Sequence, residues 1–155
     1  MEIRFAKGQD VPGIIKLLRQ AGKVCHEGRP DLFRNHGQKY GPSQVMDLLG
    51  KIDTPIFVAV EEEKVLGCGF CVMERFHQHS VMNDRTTLCI EDLCVLEGCE
   101  DQQVEAAIYN KILEYAKYRG CYNVTANVWS CNERAMKFYE SLGLKIQKVG
   151  MEAIL

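Results

Sequence analysis

The sequence predicts an α/β fold in which helices cover both faces of one mixed β-sheet. Two β-rich runs flank the charged turn "EEEK" at residues 61–64, which is typical of an antiparallel hairpin. In the second half of the chain, strand-like runs alternate with amphipathic helical segments, so a parallel strand pair joined by a crossover helix is expected. The 155 residues, of which 46% are hydrophobic and 26% charged, suit a single domain spanning residues 1–155.

The N-terminal part of the chain has one strand, two helices and a long loop. "EIRFA" at 2–6 alternates like a short strand, and 11–24 carries apolar residues at helical spacing. Residues 25–41 contain glycines, a proline and mixed charge without a period, which predicts a loop. A second short helix is expected from the cap-like Ser43 onward.

The rest of the chain alternates strands with helices. The predicted elements are, in chain order, strands 54–60, 64–76 and 86–96, helix 102–119, strand 122–129, helix 130–143 and strand 144–155. Ser130 is the expected N-cap of the last helix and Gly143 its expected end.

Composition excludes several classes of partner. The formal net charge of −2 gives no sign of a nucleic-acid or membrane-surface partner. The first ten residues place charges where a signal peptide would be apolar, and no apolar run approaches the roughly 18 residues of a membrane span. We therefore expect a cytoplasmic protein that binds neither nucleic acid nor membrane.

The eight cysteines are expected to be reduced core thiols. "CGFC" (Cys68 and Cys71) resembles half of a zinc site, but no second pair of ligands follows it. Residues three apart on a strand also point to opposite faces. No metal is expected.

Two adjacent carboxylates interrupt the apolar strand "CIEDLCV". Glu91 and Asp92 are neighbours on an extended segment and are expected to point to opposite faces. One of them could pair with a base or cap a loop. Alternatively, a carboxylate here could attract a cationic amine and accept its proton, directly or through a water molecule.

The run "NVWSCNERAMKFYESLGLK" at 127–145 resembles the final motif of the GCN5-related N-acetyltransferases, N-x-x-A-x-x-F-Y-x-x-x-G. The matching residues are Asn132, Ala135, Phe138, Tyr139 and Gly143. "VLGCGF", "IEDLCV" and "HEGRPDLF" are also similar to segments of these enzymes, and "IEDLCV" resembles the branch that acetylates diamines and polyamines. The resemblance covers almost the whole chain.

The resemblance implies a fold in which two parallel strands splay apart and acetyl-CoA lies between them. The implied reaction is transfer of the acetyl group to a primary amine of a small molecule or peptide, by direct attack in a ternary complex. Tyr139 would be the general acid for the leaving thiolate, and Glu91 would be the second catalytic residue. Without the motif, Tyr139 would be interpreted as a half-buried aromatic residue. A homodimer is also implied.

The resemblance further implies two sets of binding residues. The cofactor set is Leu93, Cys94, Val95, Gln102, Gln103, Val104, Glu105, Ala106, Asn132, Ala135 and Phe138. Main-chain groups of Leu93, Cys94 and Val95 would bind the pantetheine. The substrate set is His26, Arg29, Phe33 and Asp92. A simpler interpretation of the loop is that Phe33 anchors it and Arg29 pairs with Asp31 or Glu27.

The chain departs from the family where the pyrophosphate would bind. Residues 100–105 read E-D-Q-Q-V-E, whereas the family has R/Q-G-x-G-x-G/A. Glycines allow close approach of the backbone, and carboxylates repel phosphate, although they also stabilise a helix N-terminus. Arg134 and Lys137 could neutralise phosphates from the other side or be solvated. The alternative function is therefore a weak or inactive binding or regulatory module of the same fold.

Overall fold

The computed structural model describes residues 1–100 and 103–155. The strands are β1 (Glu2–Phe5), β2 (Ile56–Glu61), β3 (Lys64–Phe76), β4 (Arg85–Val95) and β5 (Asn123–Ala126). The helices are α1 (Val11–Gly28), α2 (Pro42–Leu48), α3 (Val104–Tyr118) and α4 (Glu133–Ser141), and a 3₁₀ turn at Gly8–Asp10 precedes α1. Within the described ranges, no helix is both long and apolar enough to cross a membrane.

The five strands form one mixed sheet in the order β1-β2-β3-β4-β5. The first four strands are antiparallel to their neighbours, and β5 pairs in parallel with β4 after the crossover through α3. The predicted hairpin is β2–β3. The mixed α/β fold predicted from the hairpin and the alternating second half is confirmed.

Helices cover both faces of this sheet. Five consecutive residues of β2, Ile56 to Val60, are buried, which requires cover on both faces because successive side chains point to opposite sides. Helix α3 approaches β3 closely: a Cβ atom at Gly67 would lie 2.9 Å from Ile108 Cδ1, so only glycine fits there. The core is thus centred on β2 and β3.

The helix ends differ from the predicted ones. Helix α1 continues to Gly28, four residues beyond the predicted end. Helix α2 begins at Pro42, so Gly41 rather than Ser43 is its N-cap. The N-cap of α4 is Asn132, not Ser130, because the Asn132 carboxamide accepts a hydrogen bond from the backbone N–H of Ala135 at 3.1 Å.

The predicted strand at 144–155 is not present in the structure. Leu144 still packs on the core, and its N–H donates to the carbonyl of Tyr139 at 3.1 Å. Every residue from 145 to 155 is exposed and none is assigned to a strand. A strand is defined by pairing, and among the described residues no strand pairs with this segment.

Candidate active site

The parallel strands β4 and β5 separate halfway along β4. Their pairing ends at Ile90 and Ala126, whereas β4 continues to Val95. On its other edge β4 stays paired with β3 through Leu93, Cys94 and Val95. Among the described residues, no strand pairs with the edge of these three residues that faces β5, so a crevice opens between the two strands. This arrangement is the predicted splay.

Tyr139 of α4 lies beside this crevice. Its side chain is 9% exposed and its ring packs edge-on against Phe138, with ring centroids 5.3 Å apart. Burial raises the pKa of the Tyr139 hydroxyl, and the nearby acidic groups of Cys71 and Cys94 raise it further. The hydroxyl is therefore protonated at neutral pH and can donate a proton.

Glu91 and Asp92 face the same side of the sheet, so the expectation of opposite faces is wrong. The ammonium group of Lys39 lies 2.8 Å from Asp92 Oδ2 and 3.5 Å from Glu91 Oε2. The register between β3 and β4 shifts opposite Phe70 and Cys71, which leaves Glu91 as the extra residue of a β-bulge. A bulge interrupts the alternation of side chains and brings neighbours to one face.

Two loop residues complete this acidic cluster. The Tyr40 hydroxyl donates to Glu91 at 3.2 Å, and its ring stacks on Phe70. Burial raises the pKa of Asp92 despite the hydrogen bond from Lys39. Burial by itself would lower the pKa of Lys39, but the hydrogen bond to Asp92 raises it overall, so Lys39 carries a full positive charge. Sequence reasoning missed Lys39 and Tyr40, because nothing in the loop pattern distinguishes them.

The predicted substrate residues of the loop bond mostly to one another. His26 Nδ1 lies 2.8 Å from the carbonyl oxygen of Phe33, whose ring packs edge-on against Trp129. Arg29 forms a bidentate pair with Asp31, at 2.9 and 2.8 Å, as the simpler interpretation expected. The substrate roles of these residues remain predictions.

A groove of about 350 Å³ lies between the end of α1 and the start of α4. Its lining includes the aromatic residues Phe33 and Trp129 and the polar residues Asn132, Glu133 and Arg134. The groove therefore joins the predicted substrate loop to the predicted cofactor helix. It has room for a small organic group.

The start of α3 departs from the family pattern in structure as well as in sequence. Gln103 is the N-cap residue and has a left-handed φ of 57°, a conformation that favours glycine. Val104 is fully buried, and the buried carboxylate of Glu105 accepts a hydrogen bond from Arg134 of α4. Ala106 is half-buried. Gln102, also predicted to bind the cofactor, lies outside the described residues.

The last three predicted cofactor residues lie on α4 or at its N-cap. The Asn132 side chain is occupied as the helix cap, and Ala135 and Phe138 pack partly buried against the core. In the ranges that the structure describes, no three His, Cys, Asp or Glu side chains converge on a metal site.

Comparison with known proteins gives one family and many similar structures. The model of the acetyltransferase (GNAT) family matches residues 23–144. The structure of the tetramutant of the BH1408 protein from Bacillus halodurans is 30% identical in sequence, with a TM-score of 0.94 and complete coverage of both chains. No curated protein matches the chain.

Two more distant structures are similar in fold alone. An aminoglycoside acetyltransferase from an uncultured soil metagenomic sample, in complex with sisomicin, is 18% identical with a TM-score of 0.74, covering 99% of this chain and 95% of that one. Aminoglycoside N-acetyltransferase AAC(6')-Iy in complex with CoA is 13% identical with a TM-score of 0.75, covering 99% and 93%.

Proposed function

This chain belongs to the acetyltransferase (GNAT) family, and from that membership we propose that it transfers the acetyl group of acetyl-CoA to a primary amine of a small molecule or peptide. The observation that carries the proposal is the crevice between β4 and β5. One side of it holds the buried, protonated hydroxyl of Tyr139, and the acidic pair Glu91–Asp92 lies on β4 next to it.

The residues of the crevice fit an acetyl-CoA thioester. The free main-chain edge of β4 at Leu93, Cys94 and Val95 would bind the pantetheine amides and hold the thioester carbonyl. Acetyl-CoA supplies an acyl group on a good leaving thiolate. The amine nitrogen would form a bond to the carbonyl carbon while the carbon–sulfur bond breaks.

Two side chains would move the protons of this reaction. Glu91 would accept the proton that the attacking ammonium must lose, directly or through a water molecule. Tyr139 would donate its proton to the departing sulfur, and the raised pKa keeps that proton available. The nitrogen loses its second proton to solvent as the amide forms, Tyr139 regains a proton from solvent, and Glu91 releases the proton that it accepted, so that one proton is released for each amide formed.

The acidic cluster supports a cationic acceptor. Lys39 already places a primary ammonium group on Asp92 and Glu91, at 2.8 and 3.5 Å, so the cluster has the geometry to bind such a group. A substrate ammonium would displace Lys39 and take its place. We therefore propose an amine with a second cationic group, such as a diamine or polyamine.

An acetylation assay with mass-spectrometric detection of the product tests this function. A panel of diamines, polyamines, aminoglycosides and peptides with free amino groups is incubated with ¹³C-labelled acetyl-CoA. We expect acetylated diamine or polyamine, and we expect Asp92→Asn to raise KM for it at least tenfold. Glu62→Gln, on the exposed hairpin turn, is the matched control and should leave KM unchanged. Absence of product from every amine would contradict the proposal.

The ion pair between Glu105 and Arg134 favours a second candidate, a non-catalytic binding module. In the family the start of α3 would hold the pyrophosphate, and here a carboxylate occupies that position. Isothermal titration with acetyl-CoA separates the two candidates. Binding supports the enzyme, whereas absence of binding at low salt supports the module.

A further inference from the structure

Lys39, in the loop between α1 and α2, holds a primary amine at the point where β4 and β5 separate. Its ammonium nitrogen lies 2.8 Å from Asp92 Oδ2 and 3.5 Å from Glu91 Oε2. These two carboxylates belong to the first residues of β4 beyond Ile90, the last one that pairs with β5. Lys39 therefore places the type of group that the proposed reaction acetylates at the entrance of the crevice.

Two contacts of the neighbouring residue Tyr40 hold the loop in this position. The Tyr40 ring stacks on Phe70, with ring centroids 5.6 Å apart, and Phe70 is the residue of β3 that pairs with Asp92. The Tyr40 hydroxyl also donates to Glu91 at 3.2 Å. The backbone of Lys39 is thus anchored beside the two carboxylates, and its amine is positioned before any ligand binds.

The proton donor of the proposed reaction lies near the same carboxylates. Burial raises the pKa of the Tyr139 hydroxyl, and the charge of Asp92 is among the smaller causes that raise it further. Asp92 also accepts the hydrogen bond from Lys39. Because charges act most strongly at short range, one carboxylate lies near both the amine and the hydroxyl. A thioester bound beside Tyr139 would therefore lie close to Lys39.

We propose that Lys39 is a modification site and that each chain acetylates it with the acetyl-CoA bound in its own crevice. This inference rests on the proposed function and extends it to an amine within the chain. The flexible stem of lysine allows the amine to move from Asp92 to a neighbouring carbonyl while the backbone stays in place.

The reaction at Lys39 is the proposed acetyl transfer with an internal amine. Glu91 accepts one proton of the Lys39 ammonium, and the neutral nitrogen attacks the carbonyl carbon of the thioester. The carbon–sulfur bond breaks, its electron pair stays on sulfur, and Tyr139 donates a proton to that sulfur. The nitrogen loses a second proton to solvent as the amide forms. After Glu91 and Tyr139 return to their starting states, the products are acetylated Lys39, the thiol of CoA and one proton.

Acetylation would end the ion pairs of Lys39. An amide carries no charge, so the modified side chain would no longer bind Asp92 and Glu91. Both carboxylates would then be free for the ammonium group of a small substrate. Self-acetylation would thus open the acceptor site.

Labelling with ¹³C-acetyl-CoA, followed by chymotryptic digestion and tandem mass spectrometry, tests the site. The purified chain is first treated with a lysine deacetylase, which is then removed, so that Lys39 begins as a free amine. Lys111 is the matched internal control. The side chains of both lysines are 45% exposed, and the Lys111 ammonium also pairs with a carboxylate, that of Glu114 at 3.3 Å, but on the exposed face of α3.

We expect Lys39 to be labelled at least tenfold faster than Lys111, at a rate that does not depend on protein concentration. Burial by itself would lower the pKa of Lys39, but the hydrogen bond to Asp92 raises it overall. Uncatalysed acetylation needs a neutral amine and is therefore disfavoured at Lys39. Labelling of Lys39 no faster than that of Lys111 would overturn the proposal. A rate that rises in proportion to protein concentration would assign the reaction to a second copy and would also overturn it.

Tyr139→Phe provides a second measurement. This change should slow the labelling of Lys39 at least tenfold and leave that of Lys111 unchanged, whereas Tyr118→Phe, on an exposed tyrosine, should change neither. Thermal melting by circular dichroism shows whether both variants fold. Equal labelling of Lys39 in the native and folded Tyr139→Phe chains would contradict catalysis by the crevice.

A parallel incubation with the panel of small amines separates this inference from the proposed function. Acetylated small amine together with unlabelled Lys39 would overturn the inference and leave the function standing. Absence of product at both would overturn both. Where both are acetylated, a saturating diamine should slow the labelling of Lys39, because the two ammonium groups compete for Glu91 and Asp92.

Discussion

Arg134 in the first turn of α4 binds Glu105 in the first turn of α3. The two helices follow the two strands that separate, so the ion pair links the two N-termini next to the crevice. Glu105 is almost buried, whereas the Arg134 side chain is 62% exposed. The carboxylate is therefore fixed, and the guanidinium can turn to another anion.

At the predicted cofactor site, Glu105 would compete with a bound pyrophosphate for Arg134. The N–H groups at the start of α3 and the positive charge of Arg134 would both favour a pyrophosphate. Glu105 adds a negative charge to the same region and engages the cation. Binding of a pyrophosphate would have to break the pair, which leaves the buried carboxylate without its partner.

Replacement of Glu105 by glutamine should tighten the binding of acetyl-CoA by about tenfold. The change removes a like charge near the phosphates and releases Arg134, and each 1.4 kcal/mol corresponds to about a factor of ten. Isothermal titration measures the dissociation constant, and the gain should shrink at high salt because screening weakens the repulsion.

Two controls accompany this measurement. Arg134→Gln should weaken binding, since it removes the cation and leaves Glu105. Glu114→Gln, on the exposed face of the same helix, should have no effect. If Glu105→Gln bound acetyl-CoA no more tightly than the native chain while melting at a similar temperature, the competition would be absent.

Replacement of Tyr139 by phenylalanine should lower kcat by about a hundredfold or more, with little change in KM. The change removes the proton donor and keeps the ring packing on Phe138. Burial raises the pKa of Tyr139 above the ordinary tyrosine value of about 10. Loss of the Tyr139 proton should therefore not lower native activity at any pH below that value. Initial rates against pH measure both effects.

The control for this variant is Tyr118→Phe, which changes an 85% exposed tyrosine and should leave kcat unchanged. A Tyr139→Phe enzyme with native kcat would assign Tyr139 to packing alone.

Local patterns were sufficient to predict most of the sheet and the helices. The β2–β3 hairpin, the crossover helix α3 and α4 each have a periodic apolar pattern that does not depend on distant residues. Their order then leaves few arrangements other than a mixed sheet with helices on both faces.

Features that depend on pairing could not be predicted in the same way. The shared orientation of Glu91 and Asp92 arises from the register between β3 and β4, which no single segment encodes. The position of Lys39 depends on how a loop without a period folds back on that bulge. Residues 145–155 have strand periodicity, but whether a strand forms depends on the partner available.

Replacement of Gln103 by glycine should stabilise the protein by about 1 kcal/mol. Gln103 has a φ of 57°, and a left-handed conformation costs a residue with a Cβ atom roughly 1–2 kcal/mol, part of which the greater freedom of glycine in the unfolded chain offsets. Urea unfolding measures the difference. Gln103→Ala retains a Cβ atom and should give no such gain, so equal stabilisation by both variants would refute the explanation.

The stability of the native chain should fall as pH rises above about 8.5, the ordinary pKa of a thiol. Burial raises the pKa of Cys71, so this thiol is protonated in the folded protein and ionises in the unfolded one. The contribution of this thiol to the free energy of unfolding is complete below the pKa that the thiol has in the unfolded chain. Above that pKa the contribution is lost, at about 1.4 kcal/mol per pH unit.

Cys71→Ala should therefore make the alkaline slope of the unfolding free energy less steep. Val58→Ala is the control, since it also shortens a buried side chain but removes no titrating group. Unfolding by urea between neutral pH and mildly alkaline pH gives both slopes. Identical slopes for native and Cys71→Ala chains would contradict this origin of the pH dependence.

Replacement of Lys39 by glutamine should lower KM for a cationic amine severalfold. In the native chain the Lys39 ammonium occupies Asp92 and Glu91 and must be displaced by the substrate. Glutamine carries no charge, so the two carboxylates become free to bind the substrate ammonium. Lys39→Arg keeps the positive charge and should leave KM close to the native value. Initial rates against amine concentration measure both variants, and a KM that rises for Lys39→Gln would show instead that Lys39 holds the carboxylates in the orientation that the substrate needs.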